Sequence, residues 1–551
     1  MRIVERPATP ENGVARAFRC LGTTGLLAAA LMLAACPPAR AEDPAAPPTV
    51  EPATAPPRPR TIDVTEYRVT GVTRLTTIDV ELTLEPFLGP GRTLEDVERA
   101  RAALEKAYAS RGFQAVTVAI PQQTVRGGVV LLEVTEGKVV RLRVRGADWF
   151  APSDIKKMAP SLAEGSVPNF DRIVEDIVAL NQIPDRRVTP SLRAGTVPGT
   201  IVADLEVEDH MPLHGSLDLN NRYSAMTTPL RLNGAVRYEN LWQAGHSLAF
   251  AFQTAPGNFG ESLVLSLSYL ARFPRISWLS LSATGVIQNS NVSTLGALAV
   301  AGKGWTAGAR ASFTLPSTQG WFQSITTGLD YKYFLERVDV QETPIGYLPM
   351  SAVYAASWME EAWRMQVTAS TVFDIRDWSS SPDAFDAKRY GSTGSFIYFR
   401  GDASRTDILP LGFEVSEKLL GQYSPVPLIG PEQFAVGGVD SVRGYLEAQG
   451  LGDYGVDGQF EVRSPPLFRA GGKHGFGGLQ ILAFVDLAFA GIHLPLPEQR
   501  QDFFLMGAGG GGTFRAFGVA GGALEVGVPL VTVGDTQQFT PRIHFRVWGE
   551  F

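Results

Sequence analysis

Cysteine is nearly missing. Cys20 and Cys36 are the only two in 551 residues, and both lie in the N-terminal segment. Without that segment the chain has no thiol, which excludes disulfides, iron–sulfur clusters, thiolate metal sites and cysteine nucleophiles together. Histidine is scarce too, at six residues. His210 and His214 have the spacing of a helical metal pair, but Pro212 breaks such a helix and no HExxH glutamate accompanies them, so neither a metal nor a cofactor is expected. Nor does one sign of charge dominate: Lys+Arg 49 against Asp+Glu 56 gives a net charge of −7, without a basic block, so the electrostatic footprint of nucleic-acid binding is absent. Beyond the N-terminal segment no run of about 18 apolar residues occurs, which excludes membrane-spanning helices. What is plentiful is glycine (57) and proline (38), with 10% aromatics, a mixture suited to many short strands and turns.

Residues 1–41 read as an export signal: Arg2, Arg6, Arg16 and Arg19, the apolar run Leu26 to Ala35, then Ala39-Arg40-Ala41 as a small-x-small cleavage site. Cleavage after Ala41 is favoured over lipidation at Cys36, because Pro37 and Pro38 follow that cysteine directly. Residues 42–60 form a Pro/Ala-rich linker that cannot bury a core and contains no plug helix.

From about 61 to 210 a weak internal repeat is visible. One short strand ends in Val69-Thr70-Gly71 and another in Val144-Arg145-Gly146; each precedes helical stretches and two strands, with Leu132-Glu133-Val134 and Leu205-Glu206-Val207 in matching places. Thr93 and Asp96 are placed as a capping box, after which Val97, Ala100, Leu104 and Ala107 recur on one helical face until Gly112. Closing strands are expected near 113–120 and 129–134, then near 188–192 and 201–207, with Ile173, Ile177 and Leu180 on the second unit's helix. A βααββ unit leaves one sheet edge beside a helix, and an open edge accepts an extended peptide by strand addition. The candidate edge residues are Ala115, Thr117, Ala119 and Gln122 in unit 61–138, and Val188 and Ser191 in unit 139–210.

Ile120-Pro121-Gln122-Gln123, Gly127-Gly128 and Glu133 to Gly137 resemble the first polypeptide-transport-associated (POTRA) domain of two-partner secretion transporters of the haemolysin-activator family. Leu180-Asn181-Gln182-Ile183-Pro184 and Pro198-Gly199-Thr200 resemble the second. The resemblance implies two small α/β domains followed by an all-β transmembrane barrel of about 16 antiparallel strands.

The residues beyond 211 agree with that. Leu263, Leu265, Leu267 and Tyr269 alternate with serines, Val264 and Leu270 being exceptions, and Ile543, Phe545, Val547, Gly549 and Phe551 alternate with Arg542, His544, Arg546, Trp548 and Glu550. One face wants hydrocarbon and the other water, as in a closed barrel. Strands are expected near 213–221, 229–238, 246–254 and 262–270, and the Pro/Gly-punctuated stretches 341–360 and 376–395 are expected to be extracellular loops.

The most informative stretch, within 431–458, holds Gly437-Gly438 and Ser441-Val442-Arg443-Gly444-Tyr445. It resembles the inward-folded [VI]RG[YF] loop of the POTRA-and-barrel superfamily. A guanidinium in a lumen needs a carboxylate, ideally through two parallel hydrogen bonds. The family's F-x-D-x-G partner is matched by Phe484-Val485-Asp486-Leu487-Ala488, with Ala488 in place of glycine. Arg443 is therefore expected to pair with Asp486, with Gly444 giving the tight turn and Tyr445 an aromatic anchor. Gly507 to Gly512 fits G-x-G-x-x-G but precedes a strand pattern, so no nucleotide is expected, and its small residues suit a close approach of the loop. His493 near Asp486 lacks a nucleophile, and no enzyme is expected.

The resemblance implies an outer-membrane translocator with periplasmic POTRA domains, a secreted exoprotein partner bearing an N-terminal secretion domain, lipid around the barrel, and recognition of Phe551 by the barrel assembly machinery. The alternatives are a barrel-insertion factor of the same superfamily and a passive porin.

Overall fold

The computed structural model describes residues 61–551 except 226, 274–275, 296–297, 319, 339–340 and 469–474. The signal and linker expected over 1–60 lie outside the described residues.

Two small α/β units come first. In the first, strands Glu66–Thr70, Val129–Glu136 and Val116–Ala119 form a sheet in that order, the first pair parallel and the second antiparallel. Helices Thr77–Leu84 and Leu94–Ala109 both start on capping boxes, Thr76 with Asp79 and Thr93 with Asp96. Both boxes have the same Thr-x-x-Asp spacing in the sequence. Val80, Leu84, Ala100, Leu104 and Tyr108 carry the helices onto Val116, Val118, Leu132 and Val134. A short additional ribbon pairs Ile62–Val64 with Gly89–Arg92.

The second unit repeats the plan with Lys138–Arg145, Thr200–Asp209 and Arg186–Ala194, and its main helix, Phe170–Leu180, buries Ile173 and Leu180. The repeat has a steric basis. Gly71 and Gly146 end the first strand of each unit at φ 85° and 77°, and a Cβ there would lie 2.1 Å and 2.4 Å from the carbonyl oxygens of Val134 and Val207. Only glycine satisfies both the left-handed turn and that approach.

From Leu213 onward the described strands, apart from the short pair Phe434–Val436 and Gly450–Gly452, are antiparallel neighbours in chain order and close on themselves. Arg542–Glu550 pairs with Leu213–Asn220 from Arg546 opposite Asn220 to Glu550 opposite Ser216. Gln341–Tyr347 and Met350–Met359 both pair with Trp321–Val338 and form one interrupted strand, so the barrel has sixteen strands among the described residues. That corrects the expectation of a loop over 341–360. Pro344 and Pro349 suggested punctuation, but Pro344 is accommodated in the ladder opposite Leu335. Pro349 falls at the break, where its carbonyl still accepts from Asp330 N–H at 3.0 Å. Residues 376–395 contain no strand, but they do contain a short helix, Pro382–Lys388.

The barrel wall is inverted relative to a soluble protein. Leu267, Ile287, Phe322, Leu419, Ile543 and Val547 are exposed, while Arg231, Glu239, Gln253, Gln288 and His544 are buried. Outward apolar and inward polar residues are what a lipid-embedded cylinder requires. No helix among the described residues is long and apolar enough to cross a membrane.

Candidate functional site: the loop folded into the barrel

The connection between Glu414–Tyr423 and Tyr454–Arg463 turns back inside the barrel, where its segments Phe434–Val436 and Gly450–Gly452 pair as a two-stranded ribbon. Between those two segments four residues are left-handed: the glycines Gly437, Gly438 and Gly444, at φ 101°, 102° and 102°, and Ala448 at φ 52°. Val442 and Tyr445 are fully buried, packed with Ala488, Leu505 and Val533 of the wall and its connections. The Tyr445 hydroxyl donates to Val531 O at 2.7 Å and accepts from Val531 N–H at 3.2 Å.

Arg443, only 4% exposed, reaches the wall. Its Nε and Nη2 donate to Asp486 Oδ2 and Oδ1 at 2.7 and 2.8 Å, and its backbone N–H adds a third bond to Oδ2 at 3.1 Å. Nη1 donates to Glu461 at 2.7 Å and to Glu525 at 3.3 Å. The guanidinium lies 3.4 Å from the centroid of the Phe484 ring. One cation therefore faces three carboxylates from three strands, a geometry that lysine cannot reproduce. Asp486 was legible in the sequence; Glu461 and Glu525 were not, because ordinary glutamates on alternating strands carry no local signal.

The glycine-rich strand Asp502–Ala516 is the clearance this contact needs. A Cβ on Gly507 would stand 2.2 Å from Arg443 O, and one on Gly527 would stand 2.5 Å from Gly444 N. Ala488 occupies the family's glycine position and is fully buried against the loop.

Two buried carboxylates at the loop's base, Glu432 and Asp453, have no role assigned by the sequence pattern. Glu432 accepts from Lys332 at 2.6 Å, from Tyr347 hydroxyl at 2.7 Å and from Tyr398 hydroxyl at 2.9 Å. Asp453 accepts from Leu428 N–H at 2.9 Å, Gln433 Nε2 at 3.1 Å and His493 N–H at 2.7 Å. His493 thus braces the loop base. Tyr347 lies in the stretch 341–360, which the sequence pattern assigns to an external loop, so the pattern gives no sign of it as Glu432's partner.

The small domains present the edge residues as follows. Thr117 and Ala119 lie on the edge strand Val116–Ala119 and are exposed; Ala115 precedes it, and Gln122 sits in the following connection. Val188 and Ser191 lie on the edge strand Arg186–Ala194, Val188 with its side chain in the core. Within the LNQIP stretch Gln182 Nε2 donates to Ser277 O of the barrel at 3.4 Å, and just after it Asp185 Oδ2 lies 2.9 Å from His214 Nε2. Among the described residues no group of three or more His, Cys, Asp or Glu side chains is placed to hold a metal ion.

Residues 62–137 match the family model of the POTRA domain of ShlB type, and residues 199–510 match that of haemolysin secretion/activation proteins ShlB/FhaC/HecB. The outer membrane transporter CdiB of Dickeya dadantii strain 3937 is 25% identical over 408 residues, covering 67% of this chain and 66% of that relative, just under two thirds of its length. Among solved structures, CdiB from Escherichia coli superposes with a TM-score of 0.63 at 20% identity, over 92% of this chain and 94% of the other. BamA from Haemophilus ducreyi lacking POTRA domains 1–3 gives 0.51 at 14% identity, over 89% and 100%. At these identities the superpositions establish the fold.

Proposed function

Given that this chain belongs to the haemolysin secretion/activation family of outer-membrane β-barrel transporters, we propose that it exports an unfolded exoprotein by two-partner secretion. The two small domains face the periplasm and capture the exoprotein's N-terminal secretion domain by strand addition along Val116–Ala119 and Arg186–Ala194. The barrel then passes the chain outward. No nucleotide is needed, because folding of the exoprotein outside buries apolar surface and draws the rest through. Exposed Phe551, hydrogen-bonded to Gly215 at the barrel seam, is the residue read by the assembly machinery when the barrel is inserted.

The observation that carries this reading is the Arg443 contact with Asp486, Glu461 and Glu525. A closed barrel does not need a loop in its lumen, and a structural plug would be more stable with apolar packing than with a buried charge cluster. A charge cluster suits a loop that has to leave, because its groups can be rehydrated or re-paired on release, as Glu461 already is with Arg463 at 2.6 Å, and withdrawal of the loop widens the passage. Arg443→Ala is expected to leave a folded barrel in the outer membrane and to reduce secreted exoprotein to background. Normal secretion from that variant overturns the mechanism. A passive porin would instead conduct small solutes with no dependence on an exoprotein.

A further inference from the structure

In an antiparallel pair, alternate residues of an edge strand point both N–H and C=O away from their neighbour, and these outward groups are what an added strand would bind. Val118, opposite Val134, is such a residue, and both its groups are already taken. Its N–H donates to Glu105 Oε1 at 3.0 Å and its C=O accepts from Arg101 Nη1 at 3.3 Å, the two side chains being paired at 2.7 Å. In the second domain Val188, opposite Val207, donates to Asn181 Oδ1 at 2.7 Å and accepts from Asn181 Nδ2 at 3.1 Å. The Asn181 amide thus makes the same reciprocal pair of bonds that one residue of an incoming antiparallel strand would make. Gln123 does likewise for Leu131, at 2.7 Å in each direction, where Val116–Ala119 ends and leaves the central strand uncovered. The device recurs three times, so it is not an accident of one loop.

The outward row is otherwise short. Pro121 closes it in the first domain, and Pro190, two residues beyond Val188, has no N–H to offer in the second. Val118 thus sits between the outward positions Val116 and Ile120, and Val188 between Arg186 and Pro190. Asn181 is an exposed side chain, and Arg101 and Glu105 retain 22% and 33% of their side-chain exposure, so each can swing into water. A backbone strand binds several outward residues at once where a side chain binds one, so it wins the exchange.

We propose that Asn181 and the Arg101–Glu105 pair are place-holders that keep the two strand-addition slots shut until the backbone of an extended, unfolded client segment displaces them and takes over Val188 and Val118. This rests on the strand-addition reading above and adds that the slots are gated. Recognition through backbone groups tolerates varied client sequence while refusing folded proteins, and shutting the slots protects two exposed edges from one another in neighbouring molecules.

The test uses the full chain in detergent and a short fluorescein-labelled peptide of alternating threonine and valine with lysine ends, read by fluorescence anisotropy. Asn181→Ala is expected to bind it about tenfold more tightly, since two competing hydrogen bonds no longer have to be broken. The same peptide N-methylated at every internal residue cannot donate to a strand edge and is expected to lose binding to the unaltered chain. If the methylated peptide loses binding while Asn181→Ala binds the first peptide no better than the unaltered chain does, the edges are used but Asn181 is structural, and the gating proposal falls alone. If the methylated peptide binds as tightly as the first, strand addition itself is wrong.

Discussion

Individual carboxylates decide much of this protein's behaviour, and Glu136 is the clearest case outside the membrane. It lies at the end of Val129–Glu136, where its carboxylate accepts from Thr73 N–H at 2.7 Å, Arg74 N–H at 2.9 Å and Tyr108 hydroxyl at 2.9 Å, and from the Thr73 hydroxyl. Burial pushes its pKa up, but the Thr73 hydroxyl and N–H, with Tyr108 and Arg74, outweigh that and hold it below the ordinary glutamate value of 4.5. A depressed carboxylate pKa contributes stability that is fully present above the unfolded value and is lost as pH falls through the folded value. Glu136→Gln should therefore destabilise the first domain by about 1–3 kcal/mol at neutral pH, with the gap to the unaltered chain closing under acid. Hydrogen exchange of the Val134 and Tyr108 amides, followed from pH 7 downward, measures this, and a pH-independent gap would contradict it.

At the scale of elements, the inward loop and the wall it touches are fitted to each other sterically as well as electrostatically. Gly507 lies opposite Asp486 in the ladder, and its missing Cβ is where Arg443 O sits. Gly507→Val leaves the ladder hydrogen bonds in place while blocking the loop tip. Single-channel conductance in planar bilayers is expected to rise several-fold, with the loop becoming open to added protease; unchanged conductance would mean that the loop does not occlude the passage. The strand alternation survives such a change because it depends on hydrocarbon outside and polar groups within, and a single inward methyl-bearing side chain disturbs neither.

For the molecule as a whole, the barrel closes within residues 213–550, and its docking to the second domain is local: Asp185 with His214, and Gln243 accepting from Ala151 N–H at 3.0 Å. A chain lacking residues 61–210 is expected to keep a folded barrel, seen as faster migration in unheated detergent gels, and to lose exoprotein secretion entirely. Failure of that barrel to fold would place the small domains within its folding unit. Much of this plan was legible beforehand, because period-two alternation, glycine at the Gly71 and Gly146 turns, and the VRGY stretch are local signals of local geometry. The sequence by itself determined that there would be repeated α/β units, a barrel with an apolar exterior, and a cation at position 443 in need of an anion. Only the tertiary structure decided that Glu461 and Glu525 share that cation and that Glu432 and Asp453 pin the loop base. It alone also placed 341–360 in the wall and filled the edges at Val118 and Val188 with side chains. Each of these is a meeting of residues far apart in the chain, and in a barrel such meetings depend on strand register, which no single strand encodes.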